Sequence, residues 1–122
     1  VEELAAQGLV ALAFVNSRAF VAHRPGGTRP VYGTNPMAFA CPRGQGEHPI
    51  VFDQASSAMA RGELQLLQLA GKTLPPGVAI DLHGDPTRDP TAALQGAQVP
   101  FGGHKGTCIA LMVELLAGAL TG

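Results

Sequence analysis

Apolar positions along the chain come in short runs separated by proline and glycine, a rhythm that predicts brief strands and a few helices. The longest run, Thr107 to Leu120, carries one charge, Glu114. It is shorter than the roughly 20 residues needed to cross a bilayer. Ile109, Leu111, Met112, Val113, Leu115 and Leu116 cover every azimuth, so this helix is expected to be enclosed by neighbouring elements or by a second subunit. Near the start, Glu2 to Gln7 reads as the last turns of a helix broken by Gly8, followed by a buried strand from Leu9 to Val15. Met37 to Cys41 and Ile50 to Phe52, separated by Pro42, Gly44 and Gly46, predict a hairpin. Ser56 or Ser57 is placed to cap an amphipathic helix from Ala58 to Ala70. Two stretches resist regular structure: His23 to Pro36, expected as a long irregular loop, and Lys72 to Pro100, expected as a surface excursion with one short strand at Val78 to Asp81.

Composition narrows the picture. The chain has 122 residues, 46% of them hydrophobic and 14% charged, with a net charge of −1, which fits one modest globular domain. Its eight basic residues form no patch that would attract nucleic acid or an anionic membrane. Cys41 and Cys108 both lie inside apolar runs and read as buried free thiols, which favours a reducing cytoplasm. The first residue is Val1 and no secretory pattern follows it; both ends are expected to be ragged edges of a longer protein.

Several motifs fail on spacing. Gly44 and Gly46 begin a Gly-Xaa-Gly-Xaa-Xaa-Gly fingerprint, but Pro49 stands at its third glycine. Gly103 to Thr107 has the residue types of a phosphate-binding P-loop in the wrong order. Asp81, His83, Asp85 and Asp89 are interrupted by prolines, and His48 with Asp53 fits no helical ligand pair, so no metal is expected.

Three constellations survive. Gly102-Gly103-His104-Lys105-Gly106-Thr107 precedes the apolar helix, where free backbone N–H groups, the positive helix end and Lys105 would favour an anion; a tight turn with a solvated lysine is the plain alternative. Val51 to Ser57 delivers Asp53, Gln54, Ser56 and Ser57 at a strand end, either facing a cleft or serving as helix caps. Asn16-Ser17 ends the first strand in the same way, or forms a simple turn.

Phe14-Val15-Asn16-Ser17, the segment Tyr32 to Phe39, the segment Val51 to Glu63, Asp85-Pro86-Thr87 and Phe101 to Gly106 together resemble the malate/L-lactate dehydrogenase-like family of NAD(P)-dependent oxidoreductases. Val51 to Glu63, Gly102 to Gly106 and the C-terminal helix look most like its Δ1-piperideine-2-carboxylate and Δ1-pyrroline-2-carboxylate reductases. The resemblance implies an α+β fold, a mostly antiparallel sheet with flanking helices, distinct from the doubly wound dinucleotide fold. It implies that Asn16, Ser17, Phe52, Asp53, Gln54, Ala55, Ser56, His104 and Lys105 contact NADPH or NADH. Thr34 would lie near the substrate and Asp53 closest to the chemistry. His23 falls where the family commonly shows Pro-His-Gly-Gly and receives no role.

On this reading residues 1–122 are the central part of a cofactor-binding domain. A proton-donating histidine and a carboxylate-binding arginine would lie on an N-terminal segment absent from this chain, as would a C-terminal segment. The whole enzyme is expected to be a cytoplasmic homodimer acting on a cyclic imine carboxylate or a 2-oxo acid, and the isolated 122 residues to be inactive. Two alternatives stand beside it: a malate-, L-lactate- or ureidoglycolate-type 2-hydroxy acid dehydrogenase, and a non-catalytic nucleotide-binding or interaction module.

Overall fold

In a computed structural model the described residues are 1–22, 27–44 and 46–122. His23 lies outside them. The chain builds two small sheets. The first has the order β1-β4-β5, from β1 (Ala11–Phe14), β4 (Met37–Cys41) and β5 (Ile50–Gln54), and is antiparallel throughout. The second has the order β3-β2-β7-β6, from β2 (Val21–Ala22), β3 (Pro30–Tyr32), β6 (Ala79–Ile80) and β7 (Ala97–Gln98), with β2 and β7 its one parallel pair. Helices α1 (Glu2–Ala5), α2 (Arg61–Leu69), α3 (Pro90–Gln95) and α4 (His104–Glu114) flank them, and α4 runs on into a π-helical segment, Leu115–Ala119. The mostly antiparallel architecture and the hairpin read from the sequence are both present. No helix of the described residues is long and apolar enough to cross a membrane.

The largest core cluster joins Met59, Leu64, Leu74, Val78, Ala79 and Ala93. Four of these six lie between Lys72 and Pro100, so that stretch is no surface excursion: its prolines and glycines fold the chain back to bury Leu74 and Ala93 completely. Asp89 explains α3, since its carboxylate accepts from Thr91 N–H at 2.9 Å and Pro90 starts the helix with φ already set. Gln98 is fully buried; its amide donates to the Met59 carbonyl, while its Oε1 has no partner among the described residues. Arg61 lays its guanidinium over the Phe20 ring, 3.9 Å from the centroid, tying α2 to the strand entering the second sheet. Burial lowers its pKa from the ordinary value.

Other expectations also change. Tyr32 and its neighbours pair with Val21–Ala22, so the supposed loop from His23 to Pro36 contains β3. In β1 Ala11 is buried but Leu12 is exposed, because only one face of the first sheet is covered by α1. Helix α2 starts at Arg61, and neither serine caps it: Ser56 Oγ donates to the Asn35 carbonyl at 2.8 Å and Ser57 Oγ to the Met59 carbonyl at 2.7 Å. The apolar helix is not enclosed by the chain's own elements, which leaves the second-subunit alternative open: α4 buries Gly106, Ala110 and Val113 and exposes Leu111 and Met112, and its π-helical continuation exposes Leu115 and Leu116. Cys41 is half-buried and Cys108 exposed, both free, so neither is the buried thiol expected.

Candidate functional site

Strand β1 ends where Val15 N–H donates to the Pro36 carbonyl at 3.0 Å, and the next two residues, Asn16 and Ser17, leave the sheet. They meet the 33–36 turn that joins the two sheets. Thr34 N–H donates to Ser17 Oγ at 3.1 Å, and the two hydroxyls stand 3.5 Å apart in hydrogen-bond contact. Ser17 N–H donates to Asn35 Oδ1 at 3.4 Å. The end of β5 joins the same knot: Ser56 N–H donates to the Thr34 carbonyl at 2.7 Å, and Phe101 N–H to the Ser56 carbonyl at 3.1 Å. That last bond brings the entry turn of α4 against the β5–α2 corner.

Two residues not singled out in the sequence hold the knot together. Asn35 is fully buried and adopts φ of +39°. Its Nδ2 donates to the Ala110 carbonyl at 3.1 Å and to Glu114 Oε1 at 2.9 Å. Glu114 also accepts from Gly33 N–H at 3.4 Å and, through Oε2, from Asn16 Nδ2. The sequence did carry a signal for Glu114: a single carboxylate in an otherwise apolar helix needs donors waiting for it.

Asn16, Ser17, Thr34 and Ser56 are therefore joined in one hydrogen-bonded network, with Ala55 beside it in the chain. The network does not reach the remaining candidates. Phe52 stacks on Phe39 with ring centroids 5.5 Å apart, on the face of β5 that alternation assigns also to Gln54. Asp53 points to the other face, lining a hollow with Val1, Glu2, Glu3, Leu4 and Val51. Neither Ser17 nor Lys105 lines that hollow. Three carboxylates share it, so an anionic group would be repelled there.

His104 and Lys105 sit exposed in the first turn of α4. Gly103 precedes them with φ of +61°, and no side chain caps the helix. Gly106 is buried because α4 lies directly against Phe101; a Cβ there would come within 2.1 Å of the Phe101 carbonyl. Lys105, Gly106 and Thr107 N–H already donate to the Gly102, Phe101 and Gly103 carbonyls at 3.3, 3.0 and 3.4 Å, so it is the exposed Lys105 ammonium at the positive helix end that suits a phosphate. Hydroxyls and amides at the strand tips suit the polar groups of a ribose or a carboxamide. The residues present thus fit a nicotinamide dinucleotide in donor chemistry.

The class of protein is a dehydrogenase family: a family profile of malate/L-lactate dehydrogenases matches residues 1–122, and the chain belongs to that family. Over all 122 residues it is 57% identical to the Δ1-pyrroline-2-carboxylate reductase 1 of Burkholderia ambifaria, covering 35% of that protein. It is 52% identical to the (2R)-3-sulfolactate dehydrogenase (NADP(+)) of Chromohalobacter salexigens, covering 36% of that protein. The crystal structure of Δ1-piperideine-2-carboxylate reductase from Pseudomonas syringae superposes with a TM-score of 0.94 at 52% identity, over 99% of this chain and 36% of that one. The chain thus spans about a third of the length of the relatives it matches.

Proposed function

We propose that residues 1–122 form the central part of the cofactor-binding domain of an NAD(P)H-dependent oxidoreductase that reduces a cyclic imine carboxylate of the Δ1-piperideine-2-carboxylate or Δ1-pyrroline-2-carboxylate type. The observation that carries this reading is the joining of Asn16, Ser17, Thr34 and Ser56 into one network, in a chain 57% identical to such a reductase. When bound, the reduced coenzyme supplies a hydride, which adds to the imine carbon while a proton is taken up at nitrogen.

The chain's own residues bind and orient. Lys105, at the positive end of α4, holds phosphate, with His104 beside it. Asn16 and Ser17 at one strand tip, and Phe52, Gln54, Ala55 and Ser56 at another, hold the nicotinamide half. Thr34 hydrogen-bonds the substrate, its hydroxyl already set by Ser17. Asp53 is the acidic group proposed for the chemistry; it lies on the face of β5 opposite Phe52 and Gln54, so this role requires that the rest of the enzyme complete its hollow and bring the reacting atoms to that face. The proton donor and the substrate-binding arginine belong to parts of the enzyme outside this chain. The exposed row Leu111, Met112, Leu115 and Leu116 supports a homodimer in the whole enzyme, and the two unpaired thiols support a cytoplasmic setting.

The sulfolactate dehydrogenase among the relatives favours one second reading, a 2-hydroxy acid dehydrogenase. Assaying the enzyme that carries this chain against Δ1-piperideine-2-carboxylate, pyruvate and oxaloacetate, each with NADPH and with NADH, separates the two. Imine reduction exceeding that of both oxo acids in kcat/KM is expected. Preference for an oxo acid replaces the first reading with the second, and turnover of none defeats both.

A further inference from the structure

We propose that Glu114 is a positioning residue: through Asn35, Gly33 and Asn16 its carboxylate fixes the 33–35 turn and so the Ser17–Thr34 hydroxyl pair. This rests on the reading above that Ser17 meets coenzyme and Thr34 meets substrate.

The argument begins with Asn35. A residue with a Cβ at φ of +39° is disfavoured by about 1 kcal/mol or more, and the following Pro36 restricts it further. Such a backbone persists only when its surroundings over-determine it. Here both side-chain polar atoms of Asn35 and its main-chain carbonyl are used: Oδ1 on Ser17 N–H, Nδ2 on Ala110 and Glu114, and the carbonyl on Ser56 Oγ. Gly33 leaves the turn no slack, since a Cβ there would fall 2.3 Å from Asn35 Oδ1 and 2.4 Å from Ser17 Oγ. Gly118 closes the other side, where a Cβ would stand 2.8 Å from Asn16 Nδ2.

Glu114 ties this turn to α4, at the point where the helix changes to π geometry. Its partners are three donors, two of them side-chain amides, and a carboxylate is the acceptor-only group that can satisfy all three. An amide of the same shape cannot, because its NH2 would face another donor. The cost of breaking the tie falls on the turn, hence on where the Thr34 hydroxyl sits.

The test compares Glu114→Gln, Thr34→Ala and the double variant in the enzyme that carries this chain. A positioning role predicts that Glu114→Gln raises the imine KM about tenfold with a smaller change in kcat, the size expected for losing a charge-assisted hydrogen bond. It also predicts that the double variant is no worse than Thr34→Ala alone, because both act on one hydroxyl. Asn35→Gly is the second variant. Glycine adopts this φ without strain, so the turn's backbone stays accessible while the tether is removed, and KM should rise as in Glu114→Gln. Effects of Glu114→Gln and Thr34→Ala that multiply, or wild-type KM in both Glu114→Gln and Asn35→Gly, overturn the proposal. Hydrogen exchange over residues 30–37 needs no turnover: it should quicken about tenfold or more in Glu114→Gln, and unchanged exchange overturns the tether. Absence of any wild-type turnover defeats the functional reading alone, since exchange still decides the tether.

Discussion

Asp53 is exposed and Asp81 half-buried, and their surroundings ask different things of them. Asp53 has only other carboxylates as polar side-chain company in its hollow. If it serves the chemistry, Asp53→Ala in the whole enzyme lowers kcat by about 100-fold or more, the usual scale for a lost acid–base group. Coenzyme affinity should change far less, and steady-state kinetics beside a fluorescence titration checks both. Asp81 instead serves its own loop. Its Oδ1 accepts from Asp85 N–H at 3.0 Å and His83 N–H at 2.8 Å, and these bonds, that to Asp85 foremost, hold its pKa below the ordinary value. A depressed folded-state pKa means stability that is present above the unfolded pKa and lost as pH falls through the folded one. Asp81→Asn should therefore lower Tm at neutral pH, with the gap to wild type closing under strongly acidic conditions; a gap independent of pH refutes the assignment. Single residues were legible where chemistry is local, as with Ser17 and Thr34 in their motifs. Asn35 was not, because Asn-Pro reads as a turn and its partners lie up to 79 positions away. Ser57 misled because a hydroxyl can bond any nearby backbone group, and it chose the Met59 carbonyl over a helix amide.

Among the elements, α4 shows how a glycine motif can set the packing of a helix start. Gly106 is buried with Phe101 carbonyl, amide and carbonyl carbon all within 3.0 Å of where a Cβ would be. These are backbone atoms and cannot rotate away, so Gly106→Ala must lift the helix start off the Phe101 turn. Overpacking of this kind costs about 1–3 kcal/mol. A lower urea midpoint is expected, together with weaker coenzyme binding, because Lys105 moves with the turn; unchanged values for both show that the contact is slack. The hairpin of β4 and β5 was legible from two apolar runs around a Pro/Gly turn, whereas α3 was missed although Asp89-Pro90 offered its start. In the second sheet β6 was legible as the short strand expected at Val78 to Asp81, but β2 and β7, two residues each, were not. At that length no alternation can develop, and long-range pairing alone defines them. The apolar run at the C-terminus was legible as helix but not as a helix half exposed, because periodicity says nothing about what is present to cover a face.

Taken whole, the chain exposes 7405 Å² for 12.5 kDa, where the scaling for compact monomers gives roughly 6,200 Å². The excess has a definite address. Alternation in the first sheet places Leu12, Phe39 and Phe52 on one face, with Met37, Phe14 and Ile50 beside them, while α1 lies on the other. Leu12 is 59%, Ile50 55% and Phe52 42% exposed. Helix α4 adds Leu111, Met112, Leu115 and Leu116. Apolar area of this extent is rare on a lone soluble domain and drives association when left uncovered. Prepared by itself, the 122-residue polypeptide should bind an apolar dye such as anilinonaphthalene sulfonate and sediment as concentration-dependent oligomers, while showing no hydride transfer. The enzyme that carries the chain should bind far less dye per molecule. Sedimentation of a dye-silent 122-residue monomer would mean that these faces close over one another in solution, and the account of how sheet and helix are left open would have to be abandoned.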